Sequence, residues 1–153
     1  GGAEVYHAMG ENVTQVRHAD GKLWLLSGDG KIVDEKTGDG KQYALVKGLS
    51  LLEPQVGTAI QVPEEEQPAA QLLLTLLGLL RDKSMLSDVQ TIDLSDSASV
   101  VMRYLDRFDV TFRWDADFDY KLDYLRAVVE RLEINEKGAI DMTQEGKASF
   151  IPG

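Results

Sequence analysis

Asp109-Val-Thr-Phe-Arg-Trp114 is the stretch that decides the fold, because its side chains alternate between apolar and polar. That alternation predicts a half-buried β-strand. Apolar residues then recur at helical spacing from Leu122 to Leu132, which predicts an amphipathic helix. Ala139–Thr143 and Lys147–Ile151 follow as two short strand patterns around an acidic turn that contains a glycine. The last third of the chain is therefore predicted to run strand, helix, strand, strand.

The first part of the chain carries four further strand patterns, separated by residues that favour turns. An Asp-Gly pair at 20–21 and a Gly-Asp-Gly run at 28–30 supply the first two turns. Such residues connect antiparallel strands at tight corners. The four predicted strands are Val13–His18, Lys22–Leu26, Lys31–Val33 and Tyr43–Val46.

A leucine-rich helix is predicted in the middle of the chain. Pro68 and the acidic run Glu64–Glu66 suit the first turn of a helix, and leucines from Leu72 to Leu80 form one apolar face. Two more strands follow, at Val89–Leu94 and Ser99–Tyr104. Short connections between strands favour antiparallel pairing. The sequence thus predicts one α+β domain over residues 3–153, a mainly antiparallel sheet with two amphipathic helices packed on it.

Composition excludes several classes of function. The 153 residues include 26 acidic and 16 basic side chains, for a net charge of −10. Such a surface repels phosphate backbones, so no nucleic-acid partner is expected. The chain has no cysteine, which removes disulfides, thiol catalysis and cysteine-based zinc sites. Its longest apolar run, Leu72–Leu80, is shorter than the about 20 residues that span a bilayer.

Three aspartates form the most conspicuous polar motif, at Asp115, Asp117 and Asp119. Alternate carboxylates open a calcium-binding loop, but Tyr120 stands where that loop needs glycine and Arg126 where it needs glutamate. The aspartates are predicted instead to cap the following helix. The two histidines, at positions 7 and 18, lie in no ligand-spaced cluster. No metal or cofactor site and no catalytic residue are predicted.

The final strand pattern leaves two alternatives open. A terminal strand at Lys147–Ile151 can lie at the edge of the sheet, where unpaired backbone groups accept a strand from another chain. It can equally lie inside the sheet, where neighbouring strands pair with all of its backbone groups. The residue pattern favours neither.

The order of these motifs resembles the C-terminal part of the bacterial cell-division proteins FtsQ and DivIB. The hairpin Leu23–Val33 is similar to the family's "W-L-[VI]-D-x-D-G-x-V-[FV]" segment, and Val89–Leu94 to its "V-x-x-I-x-L" strand. Ile140-Asp-Met142 matches an "I-D-L/M" strand, and Ala148–Pro152 a closing strand that ends in proline. The chain departs from the family at Gly48, where the usual upstream proline is missing.

This resemblance implies a non-enzymatic scaffold of the bacterial division machinery. It implies a protein held in the cell membrane by a single pass, with this β domain on the extracytoplasmic side at the division septum. The anchor and most or all of a small POTRA domain would then lie outside the present sequence. The implied partners are division proteins of the FtsB/DivIC and FtsL type, added as a strand at the C-terminal edge. The residues implied to bind them are Lys147, Ala148, Ser149, Phe150 and Ile151.

Two other functions are kept as alternatives. A secreted hydrolase could use paired carboxylates such as Asp109 and Asp141, provided that they converge in a cleft about 5–9.5 Å apart. A module that binds a cell-wall component would need an apolar pocket with a few polar groups.

Overall fold

A single nine-stranded sheet organises the chain in the computed structural model, which describes residues 13–18, 20–36 and 43–153. The amino-terminal histidine, at position 7, lies outside the described residues. The strands are β1 (Val13–His18), β2 (Leu23–Ser27), β3 (Ile32–Glu35), β4 (Ala44–Leu51), β5 (Val89–Asp93), β6 (Ser99–Tyr104), β7 (Phe108–Arg113), β8 (Gly138–Asp141) and β9 (Ser149–Pro152). The helices are α1 (Gln67–Asp82) and α2 (Phe118–Arg131). The strands lie in the order β3-β2-β1-β4-β5-β6-β7-β8-β9.

The α+β class and the order of elements agree with the sequence prediction, but the mainly antiparallel sheet is wrong. The sheet is mixed, because β1 pairs parallel with β4, β4 with β5, and β7 with β8. Helix α1 connects β4 to β5, and helix α2 connects β7 to β8. A helix carries the chain back along the sheet, so the next strand runs in the same direction as the previous one.

One row of apolar side chains runs across most of the sheet on the face that the helices cover. Its members lie opposite one another in consecutive strands: Val16, Val46, Ile92, Met102, Val110, Ile140 and Phe150. All but Phe150 are buried. Because the side-chain period of a strand is two, this register sends the intervening residues to the opposite face.

Both helices pack onto this row with the faces that the sequence predicts. Leu73, Leu76, Leu77 and Leu80 of α1 are fully buried, and so are Leu122 and Leu125 of α2. The two helices are also tied to each other, because Lys83 Nζ donates to Asp119 at 2.5 Å and to Asp123 at 2.9 Å. Neither helix in the described part of the chain combines the length and apolar character needed to cross a lipid bilayer.

The opposite face of the carboxyl-terminal half is polar and partly open to solvent. Its central row comprises Thr91, Arg103, Asp109, Ala139 and Ile151. Arg103 Nη1 lies 3.4 Å from an Asp109 carboxylate oxygen across β6 and β7. This face and the free side of β9 meet at the carboxyl-terminal edge of the sheet.

Candidate functional site: the β9 edge and the groove beside it

Among the described strands β9 lies at one edge of the sheet, as in the first of the two alternatives that the sequence leaves open. Its one neighbour among the described strands is β8, with Ile140 opposite Phe150 and Ala139 opposite Ile151. The strand begins at Ser149, so two of the five predicted binding residues, Lys147 and Ala148, precede it. The structure therefore locates all five at or beside the edge.

The hydrogen bonds of β8 alternate between its two neighbours. Gly138 N donates to Arg107 O at 3.0 Å, and Met142 N donates to Thr111 O at 2.9 Å. The even-numbered residues of β8 therefore point their backbone groups toward β7, and the odd-numbered residues point toward β9.

The same alternation sets the direction of the backbone groups of β9. Gly153 N donates to Lys137 O at 3.0 Å, so Ser149 and Ile151 also direct their amides and carbonyls toward β8. Phe150 and Pro152 direct theirs away from β8. Proline has no N–H, so within β9 the outward-facing donor is the Phe150 amide.

The other edge of the sheet, at β3, is partly covered. Ile32 N donates to Thr58 O at 2.8 Å, and Gly57 N donates to Ile32 O at 2.8 Å. A loop thus occupies hydrogen-bonding positions on the outer side of β3. Among the described residues, no comparable segment lies along β9.

The side chains of Phe150 and Ile151 point to opposite faces of the sheet. Phe150 packs against the buried Phe108, with ring centroids 6.0 Å apart and the rings at 81°. Ile151 lies on the polar face and is 59% exposed. A strand added beside β9 would therefore find an apolar side chain on each face of the sheet, Phe150 on one and Ile151 on the other.

A groove of about 430 Å³ lies on the polar face at the end of β9. Its charged lining residues are Arg103, Arg107, Lys137 and Asp109, and its apolar wall includes Ile151. Sequence reasoning missed Arg107, which stands in the turn between β6 and β7. Nothing in its local sequence distinguishes it from an ordinary solvated arginine.

A second recess, of about 630 Å³, lies at the start of α2. Most of its lining is polar or charged, including Arg113, Tyr120 and Thr143. The buried Lys121 donates from Nζ to Gln144 O at 2.8 Å. This lining does not match the apolar pocket that a wall-binding module was expected to have.

The three aspartates go to three separate partners, and only one of them caps the helix as the sequence predicts. Asp117 is the N-cap residue of α2 and accepts a hydrogen bond from Tyr120 N at 3.2 Å. Asp115 accepts from Arg113 Nε at 2.9 Å, and Asp119 pairs with Lys83. No group of three potential metal ligands occurs among the described residues.

The two carboxylates of the hydrolase alternative belong to separate networks. Asp109 faces Arg103 and lines the groove beside β9. Asp141 Oδ1 accepts from Thr143 N at 2.8 Å and from Thr143 Oγ1 at 2.6 Å. These bonds, with Lys121 nearby, hold the pKa of the Asp141 carboxyl below its ordinary value. A general acid needs the opposite shift.

Comparison with known proteins gives one match. Residues 15–143 match the family model described as "Cell division protein FtsQ/DivIB, C-terminal". Neither the curated proteins nor the solved structures contain a match. The matched residues run from β1 past the end of β8, and β9 lies just beyond them. Because the match covers most of the chain, the chain belongs to the FtsQ/DivIB C-terminal family of cell-division proteins.

Proposed function

We propose that this chain is a non-enzymatic scaffold domain that joins another division protein to the bacterial division machinery by strand addition at β9. The family assignment supports a role in cell division and therefore protein partners. The observation that carries the choice of site is the outward-facing backbone of Phe150 at an edge with no further strand among the described residues. Backbone hydrogen bonds supply much of the affinity when a strand is added.

The partners proposed are ectodomains of the FtsB/DivIC and FtsL type, met on the extracytoplasmic side of the cell membrane. In this proposal residues 3–153 form one domain of a single-pass membrane protein. The five residues Lys147–Ile151 differ in their roles. Phe150 supplies the outward donor and acceptor, while Ile151 offers its exposed side chain. Ser149 pairs with Asp141 and holds the strand in register.

The best test removes one backbone donor without changing any side chain. The chain has no cysteine, so residues 148–153 can be attached by chemical ligation through a cysteine at position 148 that is afterwards desulfurised to Ala148. The attached peptide would carry N-methyl-Phe150, which blocks the outward donor. A matched chain would carry N-methyl-Ile151, which blocks a donor that faces β8.

Binding of an FtsB/DivIC-type ectodomain would be measured for both chains and for the unmodified ligation product. N-methyl-Phe150 should weaken binding about tenfold or more, because one hydrogen bond is worth about 1 kcal/mol and the methyl group also blocks approach. Its unfolding midpoint in urea should stay near that of the unmodified product, whereas N-methyl-Ile151 should lower it. Undiminished binding by the N-methyl-Phe150 chain would exclude strand addition at β9.

A further inference from the structure

The segment that covers the β3 edge bonds to it as an added strand would. Residues 55–60 form this segment, the strap. Ile32 N donates to Thr58 O, and Ile60 N donates to Gly30 O, both at 2.8 Å. Neighbouring strands of an antiparallel ladder exchange hydrogen bonds in the same way. The strap therefore takes up backbone groups of β3 that a strand from another chain would otherwise use.

Lys31 and Ala59 lie opposite each other between those two bonds as an antiparallel pair. They form a non-hydrogen-bonded pair, which is the closely spaced kind in such a ladder. Gly57 N extends the contact by donating to Ile32 O at 2.8 Å. Both backbone groups of Ile32 are thus occupied by the strap.

Burial does not explain why the strap lies on β3. Residues 55–59 are all exposed, and Val56 is 62% exposed. A cavity of about 150 Å³ remains between the strap and the sheet, with Thr58 and Leu51 in its lining. Just before the strap, Glu53 has a φ of +36°, which is unfavourable for a residue other than glycine. What the strap contributes is its set of backbone bonds to β3.

The rest of the β3 edge is protected in other ways. Lys36 N donates to Leu23 O at 2.8 Å, so the preceding residue, Glu35, directs its amide away from β2. That amide donates to the Asp34 carboxylate at 2.8 Å, so it is not available to an added strand. A bulge also interrupts the pairing of β3 with β2, and bulges hinder further pairing at an edge. Without the strap, the open part of β3 would be Gly30–Ile32.

This open part would match the uncovered edge at the other end of the same sheet. Ile32 directs both its amide and its carbonyl outward, and Phe150 of β9 does the same. The two residues, on different copies of the chain, could therefore form one hydrogen-bonded antiparallel pair. Such a contact joins two different surfaces, so it does not close on itself and would grow into a filament.

We propose that the strap keeps copies of this chain from joining end to end, because it occupies the β3 groups to which β9 of a second copy would bind. Among the described strands, the sheet is then left with one edge that accepts a strand. The inference concerns β3 and a second copy of the chain, and it does not depend on which other protein binds at β9.

Gly57→Pro is the variant that releases the strap with little effect on the core. Proline has no N–H, so the bond to Ile32 O is lost, and its φ of about −65° does not fit the +87° of Gly57. Gly57→Ala is the matched control. It shares the positive φ but keeps the N–H, and nothing lies within 4 Å of its added Cβ. Urea unfolding of both variants checks that the fold is retained.

Analytical ultracentrifugation over a range of concentrations measures the mass. The unmodified chain and Gly57→Ala should stay at the mass of one chain. The mean mass of Gly57→Pro should rise with concentration to more than about twofold, because an open-ended contact does not stop at a dimer. A Gly57→Pro chain that carries N-methyl-Phe150 should keep the mass of one chain, because the outward donor of β9 is blocked.

A disulfide that holds the strap in place gives the reverse experiment. The chain has no cysteine, and a non-hydrogen-bonded pair such as Lys31 and Ala59 has a spacing that suits a disulfide. Lys31→Cys and Ala59→Cys would be added to the Gly57→Pro chain. The oxidised chain should return to the mass of one chain, and reduction should restore association.

Hydrogen exchange of the Ile32 amide, which donates to the strap, reports whether the strap has left β3. If that amide stays protected in Gly57→Pro, adding Ile60→Pro removes the second donor of the strap. A chain whose Ile32 amide exchanges fast and whose mass stays that of one chain would overturn the inference. Association that persists in the oxidised chain, or with N-methyl-Phe150, would overturn it as well. Binding of another protein at β9 is measured separately and can stand in each of these cases.

Discussion

Phe108 and Phe150 meet edge to face, with ring centroids 6.0 Å apart. Phe108 is fully buried at the start of β7, whereas Phe150 is half-buried at the sheet edge two strands away. The contact ties the last strand to the main core. The candidate binding edge is therefore held by side-chain packing as well as by its ladder with β8.

The first prediction concerns this contact. Phe150→Ala should destabilise the chain by about 2 kcal/mol, below the value for a fully buried phenylalanine because Phe150 is half-buried. Ile151→Ala is the control, because the Ile151 side chain is 59% exposed. This substitution should lower the free energy of unfolding by about 0.5 kcal/mol or less. Urea unfolding measures both. Equal losses in the two variants would mean that Phe150 does not anchor β9.

The second prediction concerns Gly138, which faces Pro152 across the ladder. Its φ is +148°, and an added Cβ would collide with the Ile151 carbonyl and lie 2.6 Å from Gly153 N. Gly138→Ala should therefore displace β9 and weaken partner binding, although every residue of β9 is unchanged. Hydrogen exchange of the Ile151 amide, which faces β8, should become faster.

Gly146→Ala is the matched control for that change. Gly146 also has a positive φ, +64°, but nothing lies within 4 Å of an added Cβ. Gly146→Ala should therefore lower the free energy of unfolding only through backbone strain, by about 1 kcal/mol. The Ile151 amide should stay protected in this variant. Protection that also persisted in Gly138→Ala would show that the ladder tolerates the extra atom.

Local patterns in the sequence predicted the elements well. The alternation in Asp109–Trp114 corresponds to β7 at Phe108–Arg113, and the predicted cap is present at Asp117. Such features depend on neighbouring residues, whose chemistry is visible in the chain itself. The element order of four strands, helix, three strands, helix and two strands was predictable for the same reason.

Pairing between distant strands was less predictable. The strand–helix–strand pattern at β7, α2 and β8 was a usable signal for a parallel pair, because a helical crossover returns the chain to the same end of the sheet. The parallel pair of β1 and β4 had no such signal, since two other strands intervene. Predicting it requires knowledge of which apolar faces pack together in space.

The candidate binding edge was likewise predictable only in part. The closing strand was visible in the sequence, but its position at an edge and the outward direction of the Phe150 amide depend on the ladder with β8. Arg107 was missed because its environment is built from residues far along the chain. Its acceptors, the carbonyls of Glu133 and Glu136, are 26 and 29 positions away.

The third prediction is that substitution by alanine has opposite effects on stability at two glycines. Gly78 lies inside α1, and nothing lies within 4 Å of an added Cβ, so Gly78→Ala should stabilise the chain by about 0.5–1 kcal/mol. Gly48 has a φ of +96°, and its Cβ would lie 2.6 Å from Ser95 N. Gly48→Ala should therefore destabilise by about 2 kcal/mol or more. Thermal or urea unfolding measures both, and effects of the same sign would contradict the packing described for one of the sites.

The fourth prediction concerns acid stability and Asp141. Hydrogen bonds from Thr143, first from its hydroxyl and then from its amide, lower the pKa of the Asp141 carboxyl, and Lys121 adds to the effect. A carboxyl whose pKa is lower in the folded chain than in the unfolded chain stabilises the fold above its unfolded pKa. That contribution is lost as the pH falls through the folded pKa. Asp141→Asn should therefore reduce stability at neutral pH, and the difference from the unmodified chain should disappear as the pH falls through the folded pKa.

The measurement is the free energy of unfolding in urea from about pH 7 down to about pH 2, joined to an NMR titration of the Asp141 carboxyl. Glu145→Gln is the control, because it removes one negative charge from the turn that follows β8 without touching the bonds to Thr143. Thr143→Val should raise the pKa of Asp141 toward its ordinary value, since the hydroxyl donor is lost. A constant difference between Asp141→Asn and the unmodified chain at every pH would mean that the carboxylate charge does not contribute, and that the bonds to Thr143 act through geometry alone.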